Sequence, residues 1–277
     1  MTAIIIVIIL LLVYAELIRP NLPKRDMTAL LGRDYAHRGY WSTNDPGESN
    51  RPENSLAAFR AAVEKDYGIE LDVHLTKDGH LVVHHDDSLK RLTGVDIRIA
   101  DSTLAEIRAC KLPNGECVPT YDEVLDVVAG RIPMIVEVKV EKRNHDALSK
   151  AVYERMKTYT GPWCMESFDP RAVKWFRMNA PEIIRGQLAF DSAGKGKDFK
   201  EWTRNLYIAS MLQNFLARPD FIAFSAKSVK WHSLPIHLLR LMKPWFVAWT
   251  VRSQADMDKW RNSWDLQIFE KFEAHRH

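Results

Sequence analysis

The sequence predicts an α/β fold: a closed (β/α)8 barrel preceded by an N-terminal hydrophobic anchor helix. Three observations carry this. Short apolar runs alternate with amphipathic stretches from Asp34 onward, the pattern of strands and helices in succession. About eight such units follow one another, the number that closes a barrel. The 277 residues are 46% hydrophobic and 27% charged, enough apolar side chain for a large core and far from the composition of a disordered chain.

The chain opens on an apolar run over residues 3–15, continued past Glu16 by Leu17 and Ile18 and closed by Arg19-Pro20. It reaches the roughly 17 to 25 residues of a membrane-crossing helix only with Glu16 at headgroup level. No basic side chain precedes it and no clear cleavage site follows, so it reads as a retained anchor; the competing reading is an apolar helix packed on the domain. Arg19, Lys24, Arg25 and Arg33 all follow the run, which by the positive-inside bias places the remainder in the cytoplasm. The expected organisation is an anchor helix over 1–19, a linker over 20–33 and the barrel over 34–277. The expected location is a cell membrane crossed once, with the membrane a partner through this helix.

The barrel elements follow in order. Strand patterns fall at 34–38, 68–74, 80–85, 132–138, 163–168, 183–189, 221–225, 246–251 and 266–269. Helical periodicity fits 55–67, 104–110, 121–128, 145–159, 169–179, 198–216, 228–242 and 254–260. Asp169-Pro170 makes a good helix start, because Asp caps and Pro fits the first turn. The Gly/Lys-rich patch 193–197 reads as a loop.

Chemistry concentrates between Tyr35 and Gly94. Glu70 and Asp72 stand at i and i+2 in an otherwise apolar strand, so both project from one face. Two carboxylates side by side repel and are costly to desolvate, whereas a divalent cation satisfies both. Glu137 and Lys139 repeat the spacing at the end of a β-rich run. His37 ends one further strand pattern and His84-His85 another, where only one of the two neighbours can face the site. Imidazoles beside an acidic cluster suit acid–base chemistry at phosphorus. The three cysteines, Cys110, Cys117 and Cys164, are too few for a disulfide framework and lack the spacing of a zinc site. Cys110 and Cys117 could close a short loop, but a reducing cytoplasm favours free thiols. Thirty-nine Lys+Arg against 36 Asp+Glu leave a net charge of only +3, too small for a nucleic-acid footprint, so no nucleic acid is expected as partner.

These residues belong to longer blocks: His37-Arg38-Gly39, Arg51-Pro52-Glu53-Asn54-Ser55, Glu70-Leu71-Asp72-Val73-His74 through Asp78-Gly79, and Leu81 through His84-His85-Asp86 to Leu89. Pro119-Thr120-Tyr121-Asp122-Glu123, Val136-Glu137-Val138-Lys139, Ser167-Phe168-Asp169 and Trp249-Thr250-Val251 follow. In this order the chain resembles the glycerophosphodiester phosphodiesterases. The resemblance implies a TIM-type barrel that hydrolyses a glycerophosphodiester to an alcohol and glycerol 3-phosphate with a divalent cation, Mg²⁺ or Ca²⁺. It implies His37 and His85 as the acid–base pair, Glu70, Asp72 and Glu137 as metal ligands, and Arg38, Lys139 and Trp249 as substrate-binding residues. His84 falls at the variable place of its motif and is expected outside the chemistry.

The resemblance has departures. The stretch 40–51 is longer than the family spacing and is expected to reshape the substrate approach. The last strand runs Trp264 to Glu270 where many relatives carry a Gly-rich strand ending in Thr-Asp, which leaves its acidic contact open. The expected partner is a small-molecule or lipid phosphodiester; an anchored chain brings lysophospholipids into range. Competing functions are a glycoside hydrolase of the same fold, which needs neither the histidine pair nor Lys139, and a non-catalytic lipid-binding barrel.

Overall fold

The structure, a computed structural model, describes residues 2–42, 50–193, 195–230 and 233–275. Most of the 40–51 stretch singled out above lies outside them. Among the described residues nine strands form one sheet: β1 (Tyr35–His37), β2 (Gly68–Leu75), β3 (Leu81–Val83), β4 (Met134–Val138), β5 (Trp163–Ser167), β6 (Arg185–Ala189), β7 (Phe221–Ser225), β8 (Trp245–Val251) and β9 (Leu266–Phe269). Eight run parallel in the order β1-β9-β8-β7-β6-β5-β4-β2, and β1 pairs with β2 to close the barrel. The pattern at 80–85 is not a stave: β3 hangs antiparallel on the far end of β2.

The barrel interior is packed by Tyr35, Ile135, Cys164, Leu188, Phe221, Val247 and Ile268. Gly186 is required there, since a Cβ at that position would stand 2.0 Å from the Phe221 ring. Met27 and Leu30 are buried in the same cluster, and Tyr35 donates from its hydroxyl to the Leu30 carbonyl at 2.6 Å. Residues 20–33 thus run beneath the N-terminal ends of the strands and leave the C-terminal ends open.

The helices are α1 (Thr2–Ile18), α2 (Leu56–Glu64), α3 (Lys90–Thr93), α4 (Leu104–Ala109), α5 (Tyr121–Val128), α6 (His145–Met156), α7 (Pro170–Asn179), α8 (Phe199–Ala209), α9 (Asn214–Ala217), α10 (Leu234–Met242) and α11 (Gln254–Trp260). Asp169 caps α7 through its carboxylate and Pro170 opens the helix. The single helix expected over 198–216 is broken into α8 and α9, where Met211 takes a left-handed φ of 58°. The helix expected from 228 starts at Leu234, with Pro235 in its first turn.

The anchor is corrected by the structure. Among the described residues no helix is long and apolar enough to cross a membrane. α1 has 17 residues, a rise of about 26 Å against a hydrocarbon core of about 30 Å. The residues that stretched the apolar run toward a spanning length are its docking end on the barrel. Glu16 pairs with Arg19 at 2.6 Å and Arg218 at 3.1 Å, Ile18 is fully buried, and its carbonyl accepts from the Asn214 amide at 2.8 Å. The single crossing, the cytoplasmic orientation inferred from it and the membrane as a partner through this helix fall together.

Candidate functional site

Strand register assembles the site at the C-terminal ends of the strands. His37 lies opposite Glu70, Asp72 opposite Glu137, and Glu137 opposite Glu166, so β1, β2, β4 and β5 each contribute one or two polar side chains to a continuous row. Glu70, Asp72, Glu137 and Glu166 are all buried. One oxygen from each of Glu70, Asp72 and Glu137 lies within 4.8 Å of the others.

The turn after β1 ties this row to the substrate face. Arg38 has φ 59° and Gly39 φ 81°; a Cβ on Gly39 would also stand 3.0 Å from Ala58, so the tight turn requires glycine. The turn aims the Arg38 backbone N–H at Glu70 Oε2, 3.1 Å away. Asn54 donates to Asp72 Oδ2 at 2.8 Å. Glu53 accepts from Arg38 at 2.7 Å and from Arg91 at 2.6 Å, which fixes the Arg38 guanidinium 3.7 Å from Asp72. Lys139 Nζ lies 3.0 Å from Glu137 and 3.4 Å from Asp72.

Each candidate histidine is held by a carboxylate through Nδ1. His37 Nδ1 meets Glu270 Oε2 at 2.7 Å, and His85 Nδ1 meets Asp86 Oδ1 at 2.6 Å. A donated Nδ1–H leaves Nε2 as the working nitrogen; that of His37 is 3.8 Å from Glu70. Burial lowers both imidazole pKa values; the bond to Glu270 opposes this at His37, and the charge of Asp72 opposes it at His85. Burial would raise the Glu270 carboxyl, yet the His37 bond, with help from Arg252, holds it down at about 2.

The acidic row is out of electrostatic balance. Burial, then repulsion from Asp72 and Glu137, pushes Glu70 well above the usual carboxylate range. Burial raises Glu137 to about 7 despite Lys139. Asp72 stays low because Lys139, His85 and Arg38 outweigh its burial, but its Oδ1 has no hydrogen bond. Three converging buried carboxylates, two of them with raised pKa values, fit a hard divalent cation.

A cleft of about 640 Å³ opens from this row, lined by His85, Glu137 and Lys139 on one side and by Phe168, Tyr207, Ile208 and Leu216 on another. Trp249 reaches it indirectly, its ring edge-on to Phe168 with centroids 5.7 Å apart. Of the sequence candidates, His37, Arg38, Glu70, Asp72, His85, Glu137 and Lys139 therefore converge, and Trp249 stands beside a cleft wall. His84 is fully buried with both ring nitrogens unbonded. Glu166 and Glu270 were not singled out. Glu166 had a signal, a lone acid one residue before Ser167 in an apolar strand; Glu270, just past the last strand, gives His37 an acidic contact.

The Glycerophosphoryl diester phosphodiesterase family profile matches residues 37–266. A glycerophosphodiester phosphodiesterase of Caldanaerobacter subterraneus is 35% identical over 164 residues, 55% of this chain and 65% of the relative. A lysophospholipase D of Mus musculus is 34% identical over 164 residues, 54% of this chain and 48% of the relative. The chain thus spans about half to two-thirds of the length of these curated relatives. The fold is similar to that of an Oleispira antarctica phosphodiesterase solved with its product sn-glycerol-3-phosphate, with a TM-score of 0.67 and 22% identity, over 86% of this chain and 93% of that one.

Proposed function

The chain belongs to the glycerophosphoryl diester phosphodiesterase family, and we propose that it hydrolyses glycerophosphodiesters to an alcohol and glycerol 3-phosphate by acid–base catalysis between His37 and His85. The observation that carries this reading is two imidazoles, each oriented by its own carboxylate, beside a row of acids that needs a cation. Glu70, Asp72 and Glu137 would hold Mg²⁺ or Ca²⁺, which when bound supplies Lewis-acid neutralisation of the phosphate charge.

The protein's own groups do the remainder. Arg38 and Lys139 offset the diester's negative charge, which otherwise repels an incoming oxygen. One imidazole takes the proton from the attacking hydroxyl, that of the glycerol C2 or of water, at Nε2. The other gives a proton to the departing alkoxide. Where the C2 hydroxyl attacks, this leaves a cyclic phosphate, which water, deprotonated by one imidazole, then opens to glycerol 3-phosphate as the other protonates the C2 oxygen. Glu270 and Asp86 keep each ring in the required tautomer and orientation. Trp249 and Phe168 form an apolar edge for the organic part of the substrate.

A second substrate reading, lysophospholipids, is favoured by the cleft wall of Phe168, Tyr207, Ile208 and Leu216, an apolar path leading away from the polar row that suits an acyl chain. The Mus musculus relative, a lysophospholipase D, supports it. The test is alcohol release from glycerophosphocholine and lysophosphatidylcholine by the wild type and by His37→Ala. Release falling at least about a hundredfold in the variant supports the assignment; equal release by both contradicts it.

A further inference from the structure

Beyond Lys139 the chain continues along the cleft to Glu141, and its backbone there is pinned. The Glu141 N–H donates to Asn144 Oδ1 at 2.9 Å, and the Asn144 N–H donates back to the Glu141 carbonyl at 2.8 Å. The side chain is about nine-tenths buried, and Oε1 meets His74 Nδ1 at 2.7 Å. His74, also buried, lies on the same face of β2 as Glu70 and Asp72, and its Nε2 stands 3.4 Å from the His85 carbonyl. His74, His85, Lys139 and Glu141 all line the same cleft.

Glu141 Oε2 is buried without a hydrogen bond. Its nearest cation, Arg98, is 3.5 Å away and is already engaged with Asp87 at 2.5 Å. One half-exposed guanidinium thus faces two carboxylates. A buried carboxylate oxygen with no donor is costly; a primary ammonium arriving in the cleft would donate to it, and a quaternary ammonium would offset its charge without a hydrogen bond. The charges are also ordered: Lys139 is positive, and Glu141, two residues further along the chain, is negative. That order complements a phosphodiester whose alcohol carries an ammonium group, anion first and cation beyond.

We propose that Glu141 is a specificity-determining residue that binds the ammonium of the leaving alcohol, so that the enzyme prefers ethanolamine- and choline-type diesters to uncharged ones. The inference rests on the phosphodiesterase reading above, and it assigns the alcohol to the side of the cleft where His74 and Glu141 stand beside His85. Asp87 is the weaker candidate, since it is half-exposed and already paired with Arg98.

The experiment compares glycerophosphocholine with its 3,3-dimethylbutyl isostere, which has the same shape and no charge. The wild type is expected to favour the choline diester in kcat/KM by about tenfold or more, the scale of one partly screened charge–charge contact. Glu141→Gln retains size and the acceptor for His74, and is expected to bring the ratio close to one, mainly through KM. A ratio unchanged in Glu141→Gln, or a wild-type ratio near one, overturns the inference while leaving the phosphodiesterase reading intact. No turnover of either diester by the wild type overturns both. Should Glu141→Gln not fold, competition on the wild type decides: choline is expected to inhibit at about tenfold lower concentration than 3,3-dimethylbutan-1-ol, and equal inhibition overturns the inference.

Discussion

His37 and Glu270, 233 residues apart in sequence, are joined by a 2.7 Å contact between Nδ1 and Oε2, and β1 and β9 are neighbours in the barrel. The carboxylate favours the imidazolium while burial opposes it. Glu270→Gln removes the charge and allows the wrong tautomer. The turnover number is expected to fall about ten- to a hundredfold, and His37, losing the partner that raises its pKa, is expected to titrate at lower pH. A pH–rate profile checks both; an unchanged rate and unchanged acid limb contradict the role.

Much of this site is legible in the sequence and part is not. Glu70 and Asp72 announce themselves because a period of two puts both acids on one face, and Glu137 and Lys139 repeat that pattern. Glu270 is not legible as a partner of His37, because only barrel closure brings the two ends of the chain together. The α8–α9 break has no Gly or Pro to mark it. Hydropathy also misjudged α1: it counts apolar residues but cannot see that Glu16 and Ile18 are committed to Arg218 and Asn214.

His84 should make the protein acid-sensitive. Burial lowers its pKa to about 4, with the charge of His74 adding to the effect. Against an unfolded value near 6.5, the unfolded chain binds the proton first as pH falls. The stability that depends on neutral His84 is therefore whole above pH ~6.5 and is lost progressively down to pH ~4, by about 2 kcal/mol between pH 7 and 5. Urea unfolding of the wild type and His84→Leu at those two pH values checks this. The difference between the two proteins should change by about that amount in favour of the variant at pH 5; parallel behaviour contradicts it.

The acidic row predicts a stability gain on cation binding. A cation at about 100 times its dissociation constant should add about 3 kcal/mol, several degrees in melting temperature for a domain of this size. Glu137→Gln should abolish most of that gain. Thermal unfolding with and without Ca²⁺ or Mg²⁺ reads it independently of turnover, and an equal gain in the variant contradicts the ligand assignment.

The barrel interior offers a test of packing. Gly186→Ala forces a methyl group against Phe221 and should destabilise by about 1 to 3 kcal/mol. Phe221→Leu in the same chain should recover part of the loss, a coupling that a double-mutant cycle measures. Additive effects contradict the close approach.

The most direct test of the proposed chemistry is release of sn-glycerol 3-phosphate from glycerophosphoethanolamine by the purified chain, followed through chelation and return of Ca²⁺ or Mg²⁺. The account predicts release that stops on chelation and resumes when the cation returns, with none from Glu70→Ala at any concentration of it. Release that persists through chelation, or its absence in the presence of either cation, contradicts the account.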